Sequence, residues 1–322
     1  MALLLVFMGW LHLTTLLLTA LLGYFFLNRV TPGRHKIVGI ALYVLVILSI
    51  TFGLYFFSKR AYIELPKIVD STIPALVEFA EKQNIELPFT DYASFKTMAL
   101  KEARESLLNV GRFTRQAALQ AAMVLIGLVV AASIFLNAGF VLANDPHASK
   151  GGLYSEVGRL LARRFELLYQ SFAVVMGAQI VISAINTMFT SLFIFGAGFP
   201  HAVVILVLTF LCGLLPIIGN ILSNSLIVGV GFTISPKMAL LALLFLVVIH
   251  KLEYFLNSKI IGGRIKNPMW LTLIGLVVGE RLMGIPGMVL APVLLHYFKV
   301  ESGSHKLAEQ PGVQQEASLP RD

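Results

Sequence analysis

Two interrupted apolar blocks constrain this chain more than anything else in it. Residues 201–234 and 269–298 are each long enough to suggest a membrane span, yet each is broken in its middle. The first breaks at Pro216-Ile217-Ile218-Gly219-Asn220. The second breaks at Gly279-Glu280-Arg281-Leu282-Met283-Gly284, with Pro286 and Gly287 just beyond. A helix rises 1.5 Å per residue, so crossing a hydrocarbon core of about 30 Å takes about 20 residues. The half-segments on either side of each break fall short of that. Paired, interrupted apolar segments predict discontinuous helices of the kind that build the central sites of secondary transporters. Between the blocks, residues 238–255 read as one continuous helix, running into His250-Lys251-Leu252-Glu253-Tyr254-Phe255-Leu256-Asn257.

Composition sets the solvent. With 57% hydrophobic and 13% charged residues in 322, the chain is expected to be an all-α, polytopic membrane protein. Its formal charge of +8 resides in short loops, which points to a positive-inside bias and excludes nucleic acid as the expected partner. One cysteine, Cys212, lies within an apolar block, so neither a disulfide frame nor a thiolate metal cluster is expected. No P-loop, nucleophile elbow or His-Glu metal motif is present, so the sequence gives no catalytic residues, cofactor or metal, and no enzyme is expected.

Taken in order, residues 1–57 hold two spans, 3–27 and 37–57, around a basic turn with Arg29, Pro32, Gly33, Arg34, His35 and Lys36. The first lacks a basic leader region and reads as an uncleaved span. Residues 58–116 carry nine Lys/Arg and eight Asp/Glu and predict a small amphipathic helical domain, assigned outside the cytoplasm. Its first helix is expected to start with Ser71 or Thr72 as N-cap and Pro74 in the opening turn. Its second follows the stripe Leu100, Ala103, Leu107 and Val110. Residues 117–299 form the expected transport core. It has a third span at 117–141 and a cytoplasmic segment at 144–164, whose apolar face (Leu153, Val157, Leu160, Leu161, Leu168) suits membrane lipids. A fourth span follows at 167–195. Counting crossings between basic loops makes 201–234 and 269–298 hairpins that enter from opposite faces. Residues 300–322 read as a disordered cytoplasmic tail.

The candidate transport residues follow from this layout. Gln179, Ser183, Asn186 and Thr190 recur on one helical face. They are expected to look into the bundle or a cavity, or to serve as hydrogen bonds between helices. Glu253 and His250 share a face near the inner end of their helix. A buried carboxylate–imidazole pair there could carry a proton or bind a cation, or Glu253 could anchor Lys251, Arg264 or a hairpin end. Glu280 and Arg281 mark the second tip. Pro216, Gly219, Asn220, Ser223 and Asn224 mark the first, where exposed amides at a helix start can hold a polar or anionic solute. Asn257 completes the set. Gly219, Gly284 and Gly287 are expected to permit close helix contact.

Three segments together resemble the autoinducer-2 exporter family, a group of bacterial permeases. They are Leu215-Pro216-Ile217-Ile218-Gly219-Asn220, the run from Ile249 to Asn257 with Lys259, Gly262 and Pro268, and Gly284-Ile285-Pro286-Gly287-Met288-Val289-Leu290-Ala291-Pro292. The likeness is strongest over residues 167–299. It implies a multi-pass homo-oligomer of the bacterial inner membrane that exports small polar solutes or signalling molecules. Some members look like sodium- or lithium-proton antiporters, which is the alternative it implies. A non-transporting membrane scaffold would leave broken helices with polar tips unexplained.

Overall fold

The computed structural model describes residues 7–11, 13–31, 35–84, 110–137, 153–215, 218–260 and 268–308. Its regular secondary structure among them is α-helical: α1 (Thr14–Val30), α2 (Lys36–Lys82), α3 (Val110–Leu136), α4 (Leu153–Gly196), α5 (Ala202–Gly213), α6 (Ile218–Ile234), α7 (Pro236–Ile260) and α8 (Met269–Ala308). Helices α2, α3, α4 and α8 contain stretches long and apolar enough to cross a membrane. On α2 the apolar side chains of Val44, Leu45 and Leu48 face outward, as a helix solvated by lipid requires. The protein is an all-α polytopic membrane protein.

The chain forms two compact units, one of residues 1–14, 134–176 and 263–322, the other of 15–133 and 177–262. The second unit contains the first interrupted block, and there the expected hairpin forms. Helices α5 and α6 pack against each other, and α6 packs in turn on α7. The halves are 12 and 17 residues long, both short of a full crossing. Their core joins Val204, Ile205, Ile227 and Val230 to Ala242 and Leu246 of α7, Ile194 of α4 and Ile68 of α2.

Helix α2 departs from the sequence reading. No boundary falls at Ser58, and neither Ser71 nor Thr72 caps a helix start. One helix of 47 residues passes through Pro66 and Pro74. Each proline removes a ladder donor and crowds the preceding turn, so packing has to hold the helix. Ile68, Ile73 and Ala80 are buried, Thr72 meets Gly229 and Phe79 lies 5.0 Å from Phe232 of α6. The Ser71 hydroxyl is spent internally, donating to the Lys67 and Ile68 carbonyls. The second amphipathic helix, with Leu100, Ala103 and Leu107, lies outside the described residues.

Three other boundaries shift. The first span starts later than expected: residues 7–10 are helical with a turn at Leu11, and α1 begins at Thr14 and covers 17 residues. Helix α4 begins at Leu153, so the basic segment and the fourth span are one helix, and of its lower apolar face Leu153, Val157 and Leu160 are exposed while Leu168 is buried. Helix α8 continues to Ala308, where a disordered tail was expected from residue 300, and Glu301 pairs with Arg164 at 3.4 Å.

In the first unit, α8 folds back on itself. An ideal Cβ on Gly279 would lie 2.6 Å from the Gly287 carbonyl and 3.3 Å from the Ala291 methyl, and one on Gly275 would lie 3.1 Å from Leu295. In a straight helix residues eight apart stand about 12 Å apart, so the two arms must run antiparallel. The reversal occurs at Gly284, at φ 64° and ψ −155°, a conformation open essentially to glycine alone. The expected break at 279–284 therefore narrows to one residue. Gly279 and Gly287 supply the close approach of the arms, and Glu280 and Arg281 still belong to the last turn of the first arm.

Candidate functional site

The polar stripe of α4 and the tip of the first hairpin meet because two short turns fix the register. Helices α4 and α5 reverse through residues 197–201, which aligns Gln179 and Ser183 with the end of α5. Gln179 Nε2 donates to the Gly213 carbonyl at 2.6 Å, and the Ser183 hydroxyl donates to the Phe210 carbonyl at 2.7 Å. Both carbonyls lie in the last turn of α5, where the helix supplies no donor of its own. The same α4 face thus satisfies the helix end that the interruption leaves open.

Helices α6 and α7 reverse at Ser235, with Gly231 packed on the backbone of Ala239. Asn220 stands 15 residues before that turn and Glu253 18 after it, so antiparallel packing brings them together. Asn220 Nδ2 donates to both carboxylate oxygens of Glu253, at 2.9 and 2.8 Å. Asn186 Nδ2, from α4, donates to Oε2 at 3.3 Å. Asn220 occupies the first turn of α6, so the partial positive end of that helix also faces the carboxylate. The tip is tight: a Cβ on Gly219 would run into the Cys212 carbonyl, and one on Gly213 into the Ser183 hydroxyl.

Glu253 is 13% exposed, and among the described residues its hydrogen-bond donors are neutral amides. The imidazole of His250 stands 3.7 Å from Glu253 Oε2, so the expected carboxylate–imidazole pair is present, but the imidazole is 70% exposed rather than buried. Beside the carboxylate lies a cavity of about 20 Å³, whose polar border includes Asn186, Thr190, Thr209, Asn220, Ser223, Asn224, His250 and Glu253. This suffices for about one water-sized occupant. The Oδ1 of Asn186 is buried and has no hydrogen-bond partner among the described residues.

Several sequence candidates converge here. Glu253, His250, Asn220, Asn186 and Asn224 border one cavity, Gln179 braces the tip from outside it, and Gly219 gives the close contact. Pro216 and the side chain of Asn257 fall outside the described residues, as does Arg264. Lys251 is exposed and does not pair with Glu253. Glu280 and Arg281 belong to the other unit. Their side chains are 51% and 85% exposed and stand 4.0 Å apart. The sequence reading did not single out Thr209. It is the one hydroxyl in α5, and its Oγ1 donates to the Ile205 carbonyl within the helix. Pairing α5 against the polar stripe across the 197–201 turn would have found it.

A family model, that of the AI-2E family transporter, matches residues 1–303. The chain is 26% identical over 123 residues to the protein named "Putative transport protein YdbI" of Bacillus subtilis (strain 168), a match covering 38% of this chain and 35% of that one. It is 34% identical over 96 residues to "Putative transport protein YueF" of the same organism, covering 30% of this chain and 26% of the relative. The aligned stretches span about a third of the length of these curated relatives or less.

Proposed function

The chain belongs to the AI-2E family of transporters, and from that premise we propose that it is a secondary exporter of small polar solutes or signalling molecules. It works by alternating access as a homo-oligomer of the bacterial inner membrane, with the first hairpin as its moving gate. The carrying observation is the clamp between Asn220 and Glu253, in which one amide at the hairpin tip grips both oxygens of a largely buried carboxylate. Such a contact depends on charge. Hydrogen bonds to an ionised group contribute about 1.5–3 kcal/mol, roughly twice those between neutral groups. A proton or cation arriving at Glu253 competes with the amide for the carboxylate, weakens the clamp and releases the tip. Departure of that ion restores it. Solute passage is coupled to this cycle because the tip closes the space between α4 and α7.

One observation favours a second reading, a monovalent cation–proton antiporter. The cavity beside Glu253 holds about one water-sized particle, and its border combines a carboxylate with the unpartnered Asn186 Oδ1 and the hydroxyls of Thr190, Thr209 and Ser223. Oxygen donors of this kind suit sodium or lithium. Flux in proteoliposomes separates the two readings. Radiolabelled small polar solutes and sodium are followed with and without an imposed pH gradient. Gradient-dependent solute movement supports the exporter, and sodium or lithium exchange for protons without solute movement supports the antiporter. No flux of either kind sinks both.

A further inference from the structure

The other end of the same hairpin carries a second ionisable cluster. Helix α5 is preceded by His201, whose backbone is left-handed at φ 57°. Its Nδ1 stands 3.3 Å from Oε2 of Glu64 on α2, and the opposite oxygen of that carboxylate accepts from Arg60 Nε at 2.7 Å. The Glu64 side chain is 14% exposed and that of His201 26%. This corner lies beyond the apolar stretch 37–57 of α2 and touches nothing at the Glu253 end of the hairpin. The adjoining core (Ile68, Phe199, Val204, Ile205, Ile227, Val230) is apolar, so among the described residues the charged partners of Glu64 are Arg60 and His201.

We propose that His201 and Glu64 form a proton-sensitive latch fastening the base of the first hairpin to α2. Burial alone would raise the Glu64 carboxyl, but Arg60 and His201 outweigh it and hold the group below its ordinary range. A carboxylate lowered in this way loses its stabilising charge only as pH falls through that lowered value, so it stays anionic across the neutral range. Switching of the contact therefore falls to the imidazole of His201, which faces the carboxylate at 3.3 Å and is charged only when protonated. When His201 takes up a proton, the contact becomes an ion pair and the base of the hairpin is held more firmly. When it loses the proton, a neutral contact remains and the hairpin moves more freely. The left-handed backbone keeps the imidazole at this corner and is a conformation histidine tolerates better than most side chains.

Cys212, the chain's one cysteine, sits half-buried in the last turn of α5 and reports movement of the hairpin without engineering. The protein is reconstituted in lipid nanodiscs, which open both faces to reagent. Its modification by a small neutral maleimide is timed between pH 5.5 and 8 beside His201→Asn, which suits the left-handed backbone but does not titrate. Taking the ratio of the two rates at each pH cancels the thiolate dependence of the reaction and any titration of Glu253. The wild-type protein is expected to react roughly two- to fivefold more slowly than the variant at pH 5.5, as a partly exposed ion pair allows, with the ratio approaching one by pH 8. Glu64→Gln should abolish the pH dependence of that ratio. A ratio that does not change with pH, or one that still changes in Glu64→Gln, overturns the latch. No transport is measured, so this outcome is independent of whether the Glu253 reading survives.

Discussion

Asn220→Ala removes one amide and leaves the rest of the hairpin tip in place. The magnitude follows from the geometry. The lost group donates at 2.9 and 2.8 Å to both oxygens of a carboxylate that is 13% exposed, and the remaining side-chain amide, from Asn186, stands at 3.3 Å. A charge-assisted contact of this type contributes about 1.5–3 kcal/mol. If that energy holds the tip docked, its loss shifts the docked–released equilibrium by roughly 10- to 150-fold. Cys212, one residue from the end of α5, reads the shift directly as a faster maleimide reaction. The same substitution made in Glu253→Gln should then add much less, because the charge that strengthened the bond is already gone. A cycle of the four proteins is expected to give a coupling of about 1 kcal/mol or more. Labelling of Asn220→Ala within twofold of wild type, at equal folded fraction, would refute the idea that this clamp closes the gate.

Three other expectations rest on separate contacts. Gly219→Ala places a methyl on the Cys212 carbonyl, which is backbone and yields little, so a loss of about 1–3 kcal/mol or more should appear as a lower melting temperature in detergent. Gly284→Ala meets open space, its nearest neighbour being Pro286 at 4.0 Å, so its cost is conformational, about 1–3 kcal/mol, again read from melting. Glu280→Gln and Arg281→Gln alter an exposed pair at 4.0 Å and should leave the melting temperature unchanged.

Much of the site was legible in the sequence because its elements are antiparallel helices joined by short turns. An interrupted apolar block that must leave and return on one face is a hairpin, and the structure has it as α5 and α6. Glu253 stood out as a carboxylate in an apolar helix, and Asn220 as an amide at a helix start. Their contact follows from similar spacing on either side of Ser235, 15 and 18 residues. The pairing of His250 with Glu253 was legible but the exposure of its imidazole was not, because a three-residue offset turns a side chain about 60° around the helix and leaves it at the exposed rim of the cavity. Helix α2 was misread for a different reason. Charged residues and prolines signal a boundary locally, and only the packing of Ile68 and Phe79 on the hairpin, absent from any local window, carries the helix through Pro66 and Pro74. The bend of α8 was placed too broadly because Gly279, Gly284 and Gly287 look alike in sequence. Only Gly284 takes a positive φ.

The central claim is that Glu253 couples an ion to movement of the hairpin. Glu253→Gln keeps the side chain's size and a hydrogen-bonding oxygen for Asn220 while removing the charge. The decisive measurement is gradient-driven flux per folded molecule in proteoliposomes, taken beside the detergent melting temperature of the same preparation. The variant is expected to fold and assemble, to melt within a few degrees of wild type, and no longer to respond to the pH gradient. Wild-type gradient-driven flux in a protein of normal stability would contradict it.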